Sequence, residues 1–137
     1  MTSAQIHEPP SAAKHALILR FMAASGIQAR IDAGSFVEGP ALSVLSRSVT
    51  GHGATFGEVL EAVRLAYEPH RPTWQGEYES HINWEFTESE LEEIVLFLEG
   101  PSGQHFLEGR SRMDAYIGTN TEHLVEQIIA AAAALTK

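Results

Sequence analysis

Phe86-Thr87-Glu88-Ser89-Glu90-Leu91-Glu92-Glu93-Ile94-Val95-Leu96-Phe97-Leu98-Glu99-Gly100-Pro101 is the stretch that decides the fold. Thr87 and Glu90 stand three residues apart, the spacing of a capping box, in which each side chain satisfies a free backbone N–H of the first helical turn. Phe86 before the cap and Leu91 at the fourth helical position are placed to form a hydrophobic staple. Leu91, Ile94, Val95 and Leu98 then recur at i, i+3, i+4 and i+7, one apolar stripe of a helix. Gly100-Pro101 stops that helix and lets the chain reverse. The spacing predicts a helical hairpin over about 87–110.

Downstream, a long last helix carries Phe106, Met113, Ile117, Leu124, Ile128 and Leu135, separated by sevens and fours. Gly109 and Gly118 each weaken it by about 1 kcal/mol relative to alanine, which marks them as the places for a bend. The run Ala130 to Ala134 has side chains small enough for close helix packing, within the domain or between two copies.

Upstream, residues 1–10 end in Pro9-Pro10 and read as a flexible arm before one domain over 11–137. Ser11 is an N-cap candidate, and Leu17, Ile18, Phe21 and Met22 share one helical face that ends at Ser25-Gly26. A second helix is predicted from Ile27 to about Val37, burying Ile27, Ile31 and Phe36. Pro40 opens a third piece with Leu42, Val44, Leu45 and Val49 on its inner side. Thr55 and Glu58 repeat the capping-box spacing before a stripe of Phe56, Leu60, Val63 and Tyr67. Glu68-Pro69 and Arg71-Pro72 predict a loop, followed by a short helix with Trp74, Tyr78 and Ile82 in register. No stretch alternates cleanly in the manner of a strand. The expected fold class is all-α, a single compact bundle of five or six helices.

The segment Phe86 to Leu107 resembles the bacterial family called domain of unknown function 2059. Phe86-Thr87, Glu90-Leu91, Phe97, Pro101, Gly103-Gln104 and Phe106-Leu107 stand where that family's pattern would put them, and Tyr78 matches a tyrosine upstream. Leu98 departs from it, standing in place of the family's tyrosine, and the chain lacks the export signal that many members carry. The resemblance implies an all-helical fold and no reaction. Capping, turning and packing account for the same residues without it.

Composition narrows the function classes. The net charge of −9, from 18 acidic and 9 basic residues, opposes nucleic-acid binding and attraction to anionic membranes. There is no cysteine, which excludes disulfides and thiolate chemistry. No run reaches the roughly 18–20 apolar residues of a membrane span. The first twenty residues lack a basic leader, so the expected location is cytoplasmic as written, or periplasmic where a signal peptide has been removed.

Chemistry-bearing motifs are weak. His105 with Glu108 and His123 with Glu126 each share a helical face, but eighteen residues of helix put the two pairs about 27 Å apart, too far for one metal ion. The acidic band from Glu77 to Glu93 falls at helix starts and on polar faces, where the helix dipole favours carboxylates. Gly51, Gly53 and Gly57 lack the lysine of a phosphate loop. No catalytic, cofactor-binding or metal-binding residue is assigned, and no cofactor is expected. Trp74, Tyr78, Trp84 and Phe97 are the candidate contacts for a ligand or partner, tryptophan being enriched at interfaces. The expectation is a non-enzymatic helical domain that binds a protein partner or small apolar ligand, and that forms a homodimer through its C-terminal helix. The competing readings are an enzyme using carboxylates or histidines in a helical cleft, and a purely structural assembly protein.

Overall fold

Ser11 opens the first helix, its hydroxyl accepting from the Lys14 N–H at 3.1 Å, and Gly26 closes it in the left-handed region at φ 87°. The computed structural model describes residues 6–39 and 55–136 of the chain. Among the described residues there is no strand. The elements are α1 (Ala12–Ser25), α2 (Ile27–Ala33), α3 (Phe56–Tyr67), a 3-10 turn (Glu68–His70), α4 (Arg71–Glu85), α5 (Glu88–Glu99), α6 (Pro101–Asn120) and α7 (Glu122–Leu135). The all-α class therefore holds, with seven α-helices bounded within the described residues rather than five or six. The helix expected from Pro40 lies outside the described residues.

Thr87 starts α5 with both halves of the capping box in place. The Thr87 N–H donates to Glu90 Oε1 at 2.9 Å, and the Glu90 N–H donates to Thr87 Oγ1 at 3.1 Å. Thr55 caps α3 through the Glu58 N–H at 3.1 Å. Three boundaries differ from expectation, each for a local reason. α2 stops at Ala33, because Gly34 takes φ 73° and lets the backbone turn before residues 35–39 resume helix. The loop expected around Pro69 and Pro72 is a 3-10 turn running directly into α4, since proline in a first turn loses no helical hydrogen bond. The last helix breaks at Thr121, not at Gly109 or Gly118. There the backbone leaves helical geometry (φ −113°, ψ 6°), and the Thr121 hydroxyl donates to the Ile117 carbonyl at 2.6 Å.

The chain divides into two compact units, Met1–Leu98 and Glu99–Lys137. In the first, α1 packs against α2 and α4, and α2 also meets α4. Leu17, Ile18 and Met22 from α1, Ile31 from α2, Ile82 from α4, and Leu91 and Val95 from α5 form the buried cluster. Phe21, Ile27, Phe36, Trp74, Tyr78 and Phe86 pack around it. Burial of such side chains contributes about 1.5–3 kcal/mol each relative to exposure, which is why the i, i+4 stripes of these helices turn inward.

Residues 6–11 are tied down by long-range hydrogen bonds. The Ile6 N–H donates to the Trp84 carbonyl at 3.0 Å, and the buried Lys14 Nζ donates to the Asn83 carbonyl at 3.0 Å. Asn83 and Trp84 sit in the last turn of α4, whose carbonyls have no partner within the helix, so Ile6 and Lys14 together cap the C-terminus of that helix. Asn83 Nδ2 donates to the Glu8 carbonyl at 2.8 Å and Ser11 Oγ to Glu88 Oε1 at 3.0 Å, completing the attachment.

The second unit is α6 and α7. It contributes no side chain to the buried hydrophobic set, Gly103 being its one buried position among the described residues.

Candidate functional site

Three places on the molecule combine accessible surface with side chains able to bind something. The first is an apolar groove of about 630 Å³ lined by Val37, Ala62, Val63, Ala66, Tyr67, His70 and Trp74. α3 supplies one wall through Ala62, Val63 and Ala66, spaced so that small residues face the opening. Tyr67 forms the floor. Its hydroxyl donates to the Ile31 carbonyl at 2.6 Å, and its ring meets Trp74 edge-on at 5.4 Å. Burial raises the Tyr67 pKa, opposed by the nearby Arg71 cation, so the phenol stays neutral. The volume falls within the range of small-molecule sites.

The second place surrounds Trp84. His7 and His81 each present a ring edge-on to it, at 5.7 and 5.2 Å. Trp84 lies between a pocket of about 410 Å³ under residues 7–10 and one of about 300 Å³ that it shares with Phe21, Tyr78 and Phe86. Nearby, His15 Nε2 and Glu79 Oε1 are 2.7 Å apart, and Gln75 Nε2 donates to Glu79 Oε2 at 2.8 Å. Partial burial pushes the Glu79 pKa up, but the hydrogen bonds from Gln75 and His15 outweigh it and hold the carboxyl below its ordinary value. A general acid needs the opposite shift. Among the described residues no group of three or more His, Asp or Glu side chains could hold a metal ion.

The third place is the surface of the second unit. Phe106, Met113, Tyr116 and Ile117 on α6 are exposed, as are Leu124, Val125, Ile128, Ile129 and Leu135 on α7, with fractional exposures between 44% and 86%. From Gln127 to Thr136 the sequence has no charged residue. A helix apolar nearly all round is ordinarily a buried helix. None of the described helices is long and apolar enough to cross a membrane.

The four candidate contact residues fall in different surroundings. Trp74 lines the α3–α4 groove. Tyr78 packs on Phe36 at 5.4 Å, whose other neighbour is the Arg30 guanidinium at 4.3 Å, and it shares a pocket with Trp84. Trp84 is 37% exposed, in keeping with its position off the Trp74–Ile82 stripe. Phe97 is half exposed on α5 and lines none of the three pockets described. Sequence reasoning missed Tyr67 and Ala66 as groove residues, because the Val63–Tyr67 spacing reads equally well as plain core. No protein-family model, curated protein or solved structure matches the chain.

Proposed function

We propose that the protein is a non-enzymatic helical binding domain, and that α6 and α7 form its contact surface for another protein chain, its own second copy included. One observation carries this reading: nine large apolar side chains stand exposed on these two helices, three of them within the uncharged run from Gln127 to Thr136. Large apolar side chains exposed together, rather than singly, mark interaction sites, and depletion of charge is the mark of an interface centre.

The test is the fluorescence of a dye that reports apolar surface, measured on dilute protein. The wild type binds it, and Leu124→Ser with Ile128→Ser removes most of the signal while the helical circular dichroism persists. Absence of dye binding by the wild type contradicts the reading.

A second reading belongs to the Tyr67–Trp74 groove. Its volume and apolar lining suit an uncharged small molecule, with His70 as the polar group at its edge. Quenching of tryptophan fluorescence by such a compound, lost in Ala66→Trp, would establish it.

A further inference from the structure

We infer that the pocket under residues 7–10 binds a small organic ammonium ion, whose N–H groups donate to Asn83 Oδ1 and to the Glu79 carboxylate. The site lies wholly within the first unit. Asn83 carries the argument. It is among the lining residues of this pocket of about 410 Å³, yet is only 5% exposed. Its Nδ2 donates to the Glu8 carbonyl, whereas its Oδ1 is buried with no hydrogen-bond partner among the described residues. A buried acceptor left unpaired is costly, so a ligand that brings a donor to it gains more than it would at a solvated oxygen.

The other lining groups set the charge of that donor. Glu8 and Glu79 are carboxylates, and no lysine or arginine lines the pocket. Lys14 holds the Asn83 main-chain carbonyl and is not among the lining residues. Glu79 stands four residues before Asn83 on α4, which puts their Cβ atoms about 5–6 Å apart, a gap that one ammonium nitrogen can bridge. His15 Nε2 meets Glu79 Oε1 and Gln75 donates to Oε2, so each oxygen keeps a second lone pair for a ligand. An anion finds no matching cation among the lining residues, and a molecule without a donor leaves Asn83 Oδ1 unpaired. The carbon part of the ligand meets Trp84 and the Pro9–Pro10 pair, beside Gly76, where nothing lies within 4 Å of the place a Cβ would take. Entry to the buried oxygen requires residues 7–10 to swing outward. The Ile6–Trp84 and Asn83–Glu8 hydrogen bonds and the His7–Trp84 ring contact hold them to α4.

The test titrates the full chain, labelled with nitrogen-15, with n-butylammonium chloride at about pH 8, where an alkylamine is charged and a free imidazole is neutral. The two tryptophan indole N–H signals report on separate places, Trp84 on this pocket and Trp74 on the α3–α4 groove. The expected result is a saturable shift of the Trp84 signal with a midpoint of about 1–20 mM, fitting for so small a ligand, and no shift of Trp74. At equal ionic strength, 1-butanol should bind at least about tenfold more weakly, and so should n-butylammonium to Glu79→Gln, because a charge-assisted hydrogen bond is lost in each case. Equal shifts with 1-butanol, or undiminished binding by Glu79→Gln protein of unchanged helical circular dichroism, overturn the ammonium site. Trp74 moving in step with Trp84 overturns it as well, since the effect is then not local. Absence of any Trp84 shift up to about 100 mM leaves Asn83 Oδ1 to a bound water and overturns the inference.

Discussion

The Tyr67 hydroxyl donates a 2.6 Å hydrogen bond to the Ile31 carbonyl, joining α3 to the end of α2 and bringing the tyrosine ring over Gly34. A Cβ at Gly34 would lie 3.0 Å from Tyr67 Cδ2, and its φ of 73° is one that L-residues avoid. Gly34→Ala is expected to cost about 2 kcal/mol from the left-handed backbone alone, with more from the ring contact. Tyr67→Phe is expected to cost about 1 kcal/mol, since it removes one hydrogen bond and leaves the ring in place. Urea unfolding of both variants checks the order, and a Gly34→Ala protein as stable as the wild type would contradict it.

Lys14 is buried with its ammonium on the last turn of α4. A cation there is favoured by the helix dipole as well as by the Asn83 carbonyl it satisfies. Lys14→Met keeps the length of the side chain but leaves that carbonyl without its donor, at an expected loss of about 1–3 kcal/mol. The measurement is denaturant unfolding. A more stable Lys14→Met chain would mean that the amine is a burden rather than a cap.

Glu79 carries a pH prediction. Its folded pKa lies below the ordinary carboxylate value of 4.5, so the contribution is fully present above that value and is lost as pH falls through the lower, folded one. Glu79→Gln is therefore expected to be less stable than the wild type at pH 7, with the gap closing as pH falls through the lowered folded pKa. Thermal unfolding across pH 3–7 reads it out, and a gap that widens towards low pH has the wrong sign.

These three sites show what could be read from the chain alone. Thr87 and Glu90 were legible because a capping box is local: four residues contain both donors and both acceptors. The stripe Trp74, Tyr78 and Ile82 was legible because burial follows helical period. Lys14 was not, since periodicity assigns lysine to the solvent side, and its partner lies 69 residues away. The bonds of residues 6–11 were hidden for the same reason: their anchors at Asn83, Trp84 and Glu88 leave no trace in their own residues. The break at Thr121 depends on a hydroxyl returning to Ile117, a choice that the weaker glycines nearby conceal. The sevens and fours from Met113 to Leu135 mark an apolar face, yet a pattern of spacing cannot say whether the chain covers that face itself.

The most direct test of the α6–α7 surface is hydrogen exchange at two protein concentrations, followed by mass spectrometry of peptides covering 101–135. Pairing through this surface predicts that protection of these peptides increases with concentration while that of the Leu91–Leu98 core is unchanged. Protection of α6 and α7 that is already high in dilute protein and indifferent to concentration would show the face covered by its own chain, and would contradict the account.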